Sequence, residues 1–212
     1  MATPNPAPSE RTRVRRLPER ARYDGASVHG VVGGAWVGHA AFTGDGSVHN
    51  TPTAIWRDGD HLYLHGAKAS RMLKALVDGQ ACVTVSLVDG LVLARSAFHH
   101  SMNFRSVVVY GRFEPVEARE AKLAALEVFM DKLVAGRWAA LRPINDKELN
   151  ATTVLRVPLT EASAKVRSGG PKDDDEDMAW PVWAGVIPLA LQAGAPQVDP
   201  DSVVVEPAPQ LR

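Results

Sequence analysis

The sequence predicts a mainly β protein, a barrel with a few helices over its openings. Three observations lead there. Short apolar segments recur, Gly and Asp-Gly turn signals separate them, and only two stretches carry a helical repeat. Strands do not alternate with helices, which disfavours a parallel α/β sheet.

Proline sets the limits of the regular part. Pro4, Pro6, Pro8 and Pro18 crowd the start and seven of the 15 prolines follow Gly170, so the regular core is expected over about residues 19–170. Residues 1–18 then form a Pro/Arg-rich arm, and 171–212 an acidic Pro-rich tail. Six arginines lie within residues 11–22. The tail sets eight acids against Lys172 and Arg212. The run Asp173–Asp177 reads first as a solvated segment, and second as one that meets the arginines or another subunit.

Within the core, Val28–Val32 and Trp36–Phe42 read as strands joined by a turn at Gly33-Gly34. Gly44-Asp45-Gly46 turns the chain into Val48–Trp56, and Asp58-Gly59 turns it into His61–His65. There Leu62 and Leu64 alternate with His61, Tyr63 and His65, the period of a half-buried strand. Ser70–Val77 is a short helix, with Ser70 as N-cap and Gly79 past its end. Cys82–Leu87 and Leu91–Arg95 flank Asp89-Gly90, a two-residue turn signal. Phe104–Phe113 and Thr152–Leu159 are further strands. Between them, Leu123, Leu126, Met130 and Leu133 mark one face of a helix over Ala118–Val134 that Gly136 ends.

Composition removes several classes of function. The 24 basic and 24 acidic residues balance, which argues against a general nucleic-acid binder. No apolar run approaches the ~20 residues that span a bilayer. The Pro- and Arg-rich start does not resemble a secretory signal, so a soluble cytoplasmic protein is expected. The single cysteine, Cys82, cannot form an internal disulfide or a multi-cysteine metal site, and its Val/Leu neighbours suggest a buried small side chain. No metal site is expected. His61 and His65 stand ~13 Å apart on a strand, and His99 and His100 point to opposite faces.

Two stretches carry chemistry. His65-Gly66-Ala67-Lys68-Ala69-Ser70-Arg71 leaves a strand and opens a helix. Lys68, Ser70, Arg71 and the free N–H groups of the first turn make a phosphate cradle. The same residues also suit an ordinary solvated helix tip. Arg95–Ser106 packs serines, histidines, arginines and an asparagine beside Phe98, Met102 and Phe104. That mixture suits a planar heteroaromatic ligand, and equally a polar barrel rim. Trp180 and Trp183, in a Pro-rich tail, are costly to expose, so residues 180–188 should dock on the core or on a partner chain.

Four segments together carry a family resemblance: Arg16–Asp24, Leu62–Gly66, Leu91–Val107 with its Ala-Arg-Ser-Ala-Phe-His-His-Ser-Met-Asn core, and Pro181–Pro188. Over about residues 11–190 the chain resembles the flavin-nucleotide-binding branch of the pyridoxamine 5′-phosphate oxidase-like family, related to the nitroimidazole resistance reductases. The resemblance implies a split β-barrel and a homodimer with FMN in each of two interface clefts. It implies that Lys68, Ser70 and Arg71 hold the FMN phosphate and that His65 and Gly66 lie near the flavin. Ser96, His99, Ser101 and Arg105 would line the ring or ribityl chain, some from the second subunit, and Trp183 would close the cleft. His65 and His99 are the candidates for a catalytic role. No arginine close after Trp183 matches the one that holds substrate phosphate in the oxidases proper, which argues against pyridoxamine phosphate as substrate. The expected activity is electron transfer from a nicotinamide nucleotide through FMN to a small acceptor. The alternative is binding without turnover, of flavin, a deazaflavin or a haem whose axial ligand would be His65 or His99. No nucleic-acid or membrane partner is expected.

Overall fold

A computed structural model describes residues 5–204. Pro4 and the end of the tail, from Val205 through Arg212, lie outside the described residues. In chain order the elements are β1 (Ala21–Arg22), α1 (Gly25–Gly34), β2 (Val37–Gly44), β3 (Ser47–Asp58), β4 (His61–Ala67), α2 (Arg71–Asp78), β5 (Ala81–Leu93), β6 (Ser101–Gly111), β7 (Glu114–Pro115), α3 (Arg119–Leu133), α4 (Arg137–Ala140), α5 (Asp146–Ala151), β8 (Thr152–Pro158), β9 (Ala162–Arg167) and β10 (Gly185–Pro188).

One antiparallel sheet runs β1-β9-β6-β5-β2-β3-β4-β8-β7, and β10 adds to β5. The sheet curls into a half-barrel. Its inner face holds Ile55, Leu62, Leu64, Val83, Val85, Val107, Val109 and Leu155, all buried, together with α1 and Leu73 and Leu76 of α2. Its outer face, on β3, β4 and β8, packs Trp56, Tyr63 and Val154 against Ala125 and Leu126 of α3 and Leu149 of α5. The β2–β3 turn is tight because Asp45 and Gly46 both take positive φ, 50° and 74°, which the strand twist favours. No helix among the described residues is long and apolar enough to cross a membrane.

Two expected hairpins are absent. Val28–Val32 is not a strand but the middle of α1. Asp24 caps that helix, its carboxylate accepting the Ser27 N–H at 2.8 Å and the Ser27 hydroxyl at 2.9 Å. Val28, Val31 and Val32 are the buried residues, and their i, i+3, i+4 spacing is helical. Valine and glycine have poor helix propensity, but burial of that face over the half-barrel outweighs it. Asp89-Gly90 is likewise not a turn. β5 continues through it as one long strand with a bulge between Val88 and Gly90. β6 matches it along its length, and β10 pairs Gly185–Pro188 with Gly90–Leu93. A Cβ on Gly90 would stand 3.0 Å from the Ile187 carbonyl oxygen, so glycine here serves close strand approach.

The tail also differs from its first reading. Asp173 is not solvated: its carboxylate is nearly fully buried and accepts the Arg95 N–H at 2.8 Å and the Arg95 guanidinium at 2.9 Å. At the other end, the Thr12 side chain is buried, and Arg11 and Ser9 both bond Glu161. Both terminal segments are therefore sewn onto the sheet.

Lys132, in the last turn of α3, donates to the carbonyls of Ala35 and Ile55, the latter at 3.0 Å. It ties α3 to the end of α1 and to β3. Burial pushes its pKa down to about 8, from 10.5. The unfolded chain therefore binds more protons than the folded one between those two values, and this group adds stability as pH rises through that window. Urea midpoints at pH 7.5 and pH 10 should show a wild-type gain that Lys132→Met lacks; equal gains would contradict the burial. Gly38→Ala should cost about 1–3 kcal/mol by overpacking. Its Cβ would meet Val83 at 2.9 Å and Ile55 at 3.0 Å, both fully buried. Chemical denaturation measures that loss.

Candidate functional site

β4 ends at Ala67, the Ser70 N–H bonds back to the Ala67 carbonyl at 2.9 Å, and α2 starts at Arg71. The Ser70 hydroxyl accepts the Leu73 N–H at 3.4 Å, as expected of its N-cap role. Arg71 projects outward with its side chain 87% exposed. Its only ion pair among the described residues is a long one, 3.6 Å to Asp45. Arg71 and Ser70 form one wall of a cleft of about 730 Å³ between α2 and the β2–β3 hairpin. Thr43, His49 and Thr51 form the opposite wall, and Lys74 adds a second cation. His49 is fixed there by stacking on Phe42, 5.2 Å between ring centres, with its Nε2 3.1 Å from the Gly44 carbonyl oxygen. The cleft runs along α2 and also carries the carboxylates of Asp45 and Asp78; at its Ser70–Arg71 end it joins a helix N-terminus, two cations and two threonine hydroxyls, groups that can receive a phosphate.

The other expected ligand residues divide into three places. Lys68 stands outside this cleft, in a smaller hollow shared with Lys122, Asn150, Thr152 and Thr153. His65 faces α3, half-buried between Trp56 and Phe129, with ring centres 5.7 and 4.9 Å away. Burial holds its pKa below the usual histidine range, and its buried Nδ1 has no hydrogen-bond partner. Gly66 lets α2 close onto β4, since a Cβ there would meet Leu73 at 3.2 Å.

The third group is Ser96, His99, Ser101 and Trp183, at the far end of β5, with Arg105 nearer its middle, opposite Leu87. Counting along the strand from Cys82 to Leu93, that end lies roughly 35 Å from the α2 end. Arg105 is bound there by a bidentate pair with Asp89, at 2.7 and 2.9 Å, and Asp89 is held below the usual carboxylate range by it. His99 meets Asp174 at 3.2 Å. The Ser96 hydroxyl is buried without a partner. Trp183 lies over Gly185 yet stays 62% exposed, and Trp180 stays 66% exposed. So β10 docks on the core as expected, but the indoles remain at the surface. Beside them Ile187, Leu91 and Met102, cross-strand neighbours on β10, β5 and β6, form an exposed apolar row.

Sequence reasoning did not find Asp45, Thr51, Lys122 or Asp173. Asp45 lay in a recognised turn and had a local signal. Lys122 and Asp173 reach their partners only through tertiary contact, for which a single sequence carries none.

A family model described as pyridoxamine 5′-phosphate oxidase matches residues 24–166. No curated protein matches. The flavocytochrome Anf3 from Azotobacter vinelandii is 45% identical, with a TM-score of 0.91 over 96% of this chain and 95% of its own. An FAD and haem binding protein from Mycobacterium smegmatis is 36% identical, with a TM-score of 0.84 over 90% and 94%. A candidate 5-nitroimidazole antibiotic resistance protein from Bacteroides thetaiotaomicron shares the fold at 23% identity, with a TM-score of 0.58 over 69% and 86%.

Asp173→Ala should release the tail from the Arg95 loop. Limited proteolysis should then cut residues 170–185 faster than in the wild type, while the circular dichroism of the sheet stays unchanged. Equal cleavage rates would show that β10 alone holds the strap.

Proposed function

This chain belongs to the pyridoxamine 5′-phosphate oxidase family, and from that premise we propose that it is a flavin-binding redox protein. The finer reading is FMN in the cleft at the α2 tip, electrons taken from a nicotinamide nucleotide, and a small acceptor such as a quinone or nitroaromatic. The observation that carries it is the cleft itself, where Arg71 is held by only one long contact beside Ser70 and the free N–H groups of α2. Bound there, a flavin would supply hydride acceptance and onward electron transfer.

The chain's own residues would do the rest. Arg71 turns from Asp45 to the phosphate, Ser70 holds the helix start rigid, and Thr43 and Thr51 offer hydroxyls along the cleft. Ser96, His99 and Ser101 are too far along β5 to reach the same cleft in one chain. They fit the site as residues of a second copy, in a homodimer that covers Ile187, Leu91, Met102 and Trp183. His99 would then be the group that holds or moves a proton beside the ring. Arg105 is neutralised by Asp89, so it would offer only its remaining Nη1 donors and no net charge.

A second reading adds haem. It is favoured by the two near-full-length likenesses, one to a flavocytochrome and one to an FAD and haem binding protein. His65 fits the need for an unprotonated imidazole, since burial favours its neutral form. His99 is the alternative ligand.

The purified protein should show two visible flavin bands that bleach under NADH or NADPH, and mass spectrometry of the released cofactor separates FMN from FAD. Arg71→Ala should weaken flavin binding about tenfold, or ~1.4 kcal/mol. Unchanged affinity would remove Arg71 from the phosphate site. An intense Soret band abolished by His65→Ala would establish the haem reading; its absence from protein made with haem supplied would end it.

A further inference from the structure

The smaller hollow around Lys68 has an electrostatic arrangement of its own. It measures about 280 Å³ and lies between the end of β4, the strands β7 and β8 and the start of α3. Lys68 enters from the β4–α2 connection, its backbone N–H fixed to the Ala151 carbonyl at 2.9 Å. Lys122 enters from the first turn of α3, its ammonium donating to the Leu149 carbonyl at 2.9 Å. Two donors of that ammonium remain. Asn150, Thr152 and Thr153 complete the lining with neutral polar groups.

Among the described residues, neither ammonium pairs with a carboxylate. Glu117 lines the rim and pairs with neither. Burial and repulsion from Lys68 both hold the Lys122 ammonium below its ordinary range, so the two charges sense each other across the hollow. α3 begins at the same place with Ala118 as its N-cap, a residue that offers no side-chain acceptor. Two cations placed together at a positive helix end repel one another unless an anion joins them.

We propose that this hollow is a phosphoryl-anion site, separate from the cleft at the α2 tip, in which Lys68 and Lys122 clamp one phosphate group. The Thr152 hydroxyl already donates to the Glu148 carbonyl at 3.0 Å, so two ammonium groups with the Thr153 hydroxyl and the Asn150 amide remain, a set that suits a multivalent tetrahedral anion better than a single carboxylate. The ligand is free phosphate or the phosphate of a nucleotide. The proposal does not require that the larger cleft hold a flavin.

The test titrates the full-length protein, as purified, with inorganic phosphate and follows the melting temperature against sodium chloride of equal ionic strength. A phosphate-specific rise is expected. Lys122→Met and Lys68→Met should each lose it, Lys122→Arg should keep most of it, and Arg71→Ala should leave it in place. A phosphate-broadened ³¹P resonance, restored to free width in Lys122→Met, gives the same answer without relying on melting. Adenosine monophosphate identifies the source: at least tenfold tighter binding than phosphate indicates a nucleotide, equal binding indicates free phosphate. No specific rise in the wild type, or a rise that survives Lys122→Met and vanishes in Arg71→Ala, would overturn the proposal. Cofactor content measured on the same samples keeps the two sites distinct, since Lys122→Met should leave it unchanged.

Discussion

The β5–β6 ladder is the constraint on which the rest of the molecule rests. It pairs residues from Ala81↔Gly111 to Val92↔Ser101, longer than any other ladder among the described residues. One strand can serve so many neighbours only because its two halves take different partners on the opposite edge. Near Cys82 that edge belongs to β2, and near Val92 it belongs to β10. The α2 cleft is built at the first end and the Arg95–His99 loop with its docked tail at the second. A ladder this long keeps the two groups of polar residues apart within a single chain, which is why the proposed function joins them across two chains.

Charge is distributed in the same way. Arg105, Arg95, Arg11 and Arg142 all have carboxylate partners, and Arg167 is buried on the Asn103 side chain and the Gly169 and Gly170 carbonyls. These side chains are committed to holding segments together. Lys68 and the loosely held Arg71 are not, and Lys122 uses only one of its donors, on the Leu149 carbonyl. The difference between a structural cation and one open to a ligand is therefore visible in its partners, where residue type alone says nothing.

Much of this was legible in the sequence, and the reasons differ from element to element. The β2–β3 turn, β4, α2 with its Ser70 cap, and α3 followed from local rules, since Gly, Asp and Ser act on their own backbone. α1 was misread because valine content suggested a strand, although Val28, Val31 and Val32 already had helical spacing. The Asp89-Gly90 signal failed because a tertiary partner, β10, outweighed the turn preference. β9 was not read, being short and paired with segments distant in the chain, and β10 was expected as a docked segment but not as a strand. At the site, the placement of Ser70 as N-cap with Arg71 beside it at the start of α2 was readable. The placement of Lys68 beside Lys122 was not, since nothing local to either residue points to the other.

The bulge at Val88–Gly90 reverses the phase of β5. Before it the odd-numbered Val83 and Val85 are buried, and beyond it the even-numbered Gly90 and Val92 take that place, turning Leu91 to the surface. β6 has no matching interruption, so the extra residue alone decides which side chains of the distal half face outward. Were that residue drawn into the ladder instead of bulging from it, the distal half would turn like a coat inside out: Leu91 would be drawn inward, Val92 pushed out, and the oily surface at this edge would be erased without changing a single amino-acid type within it.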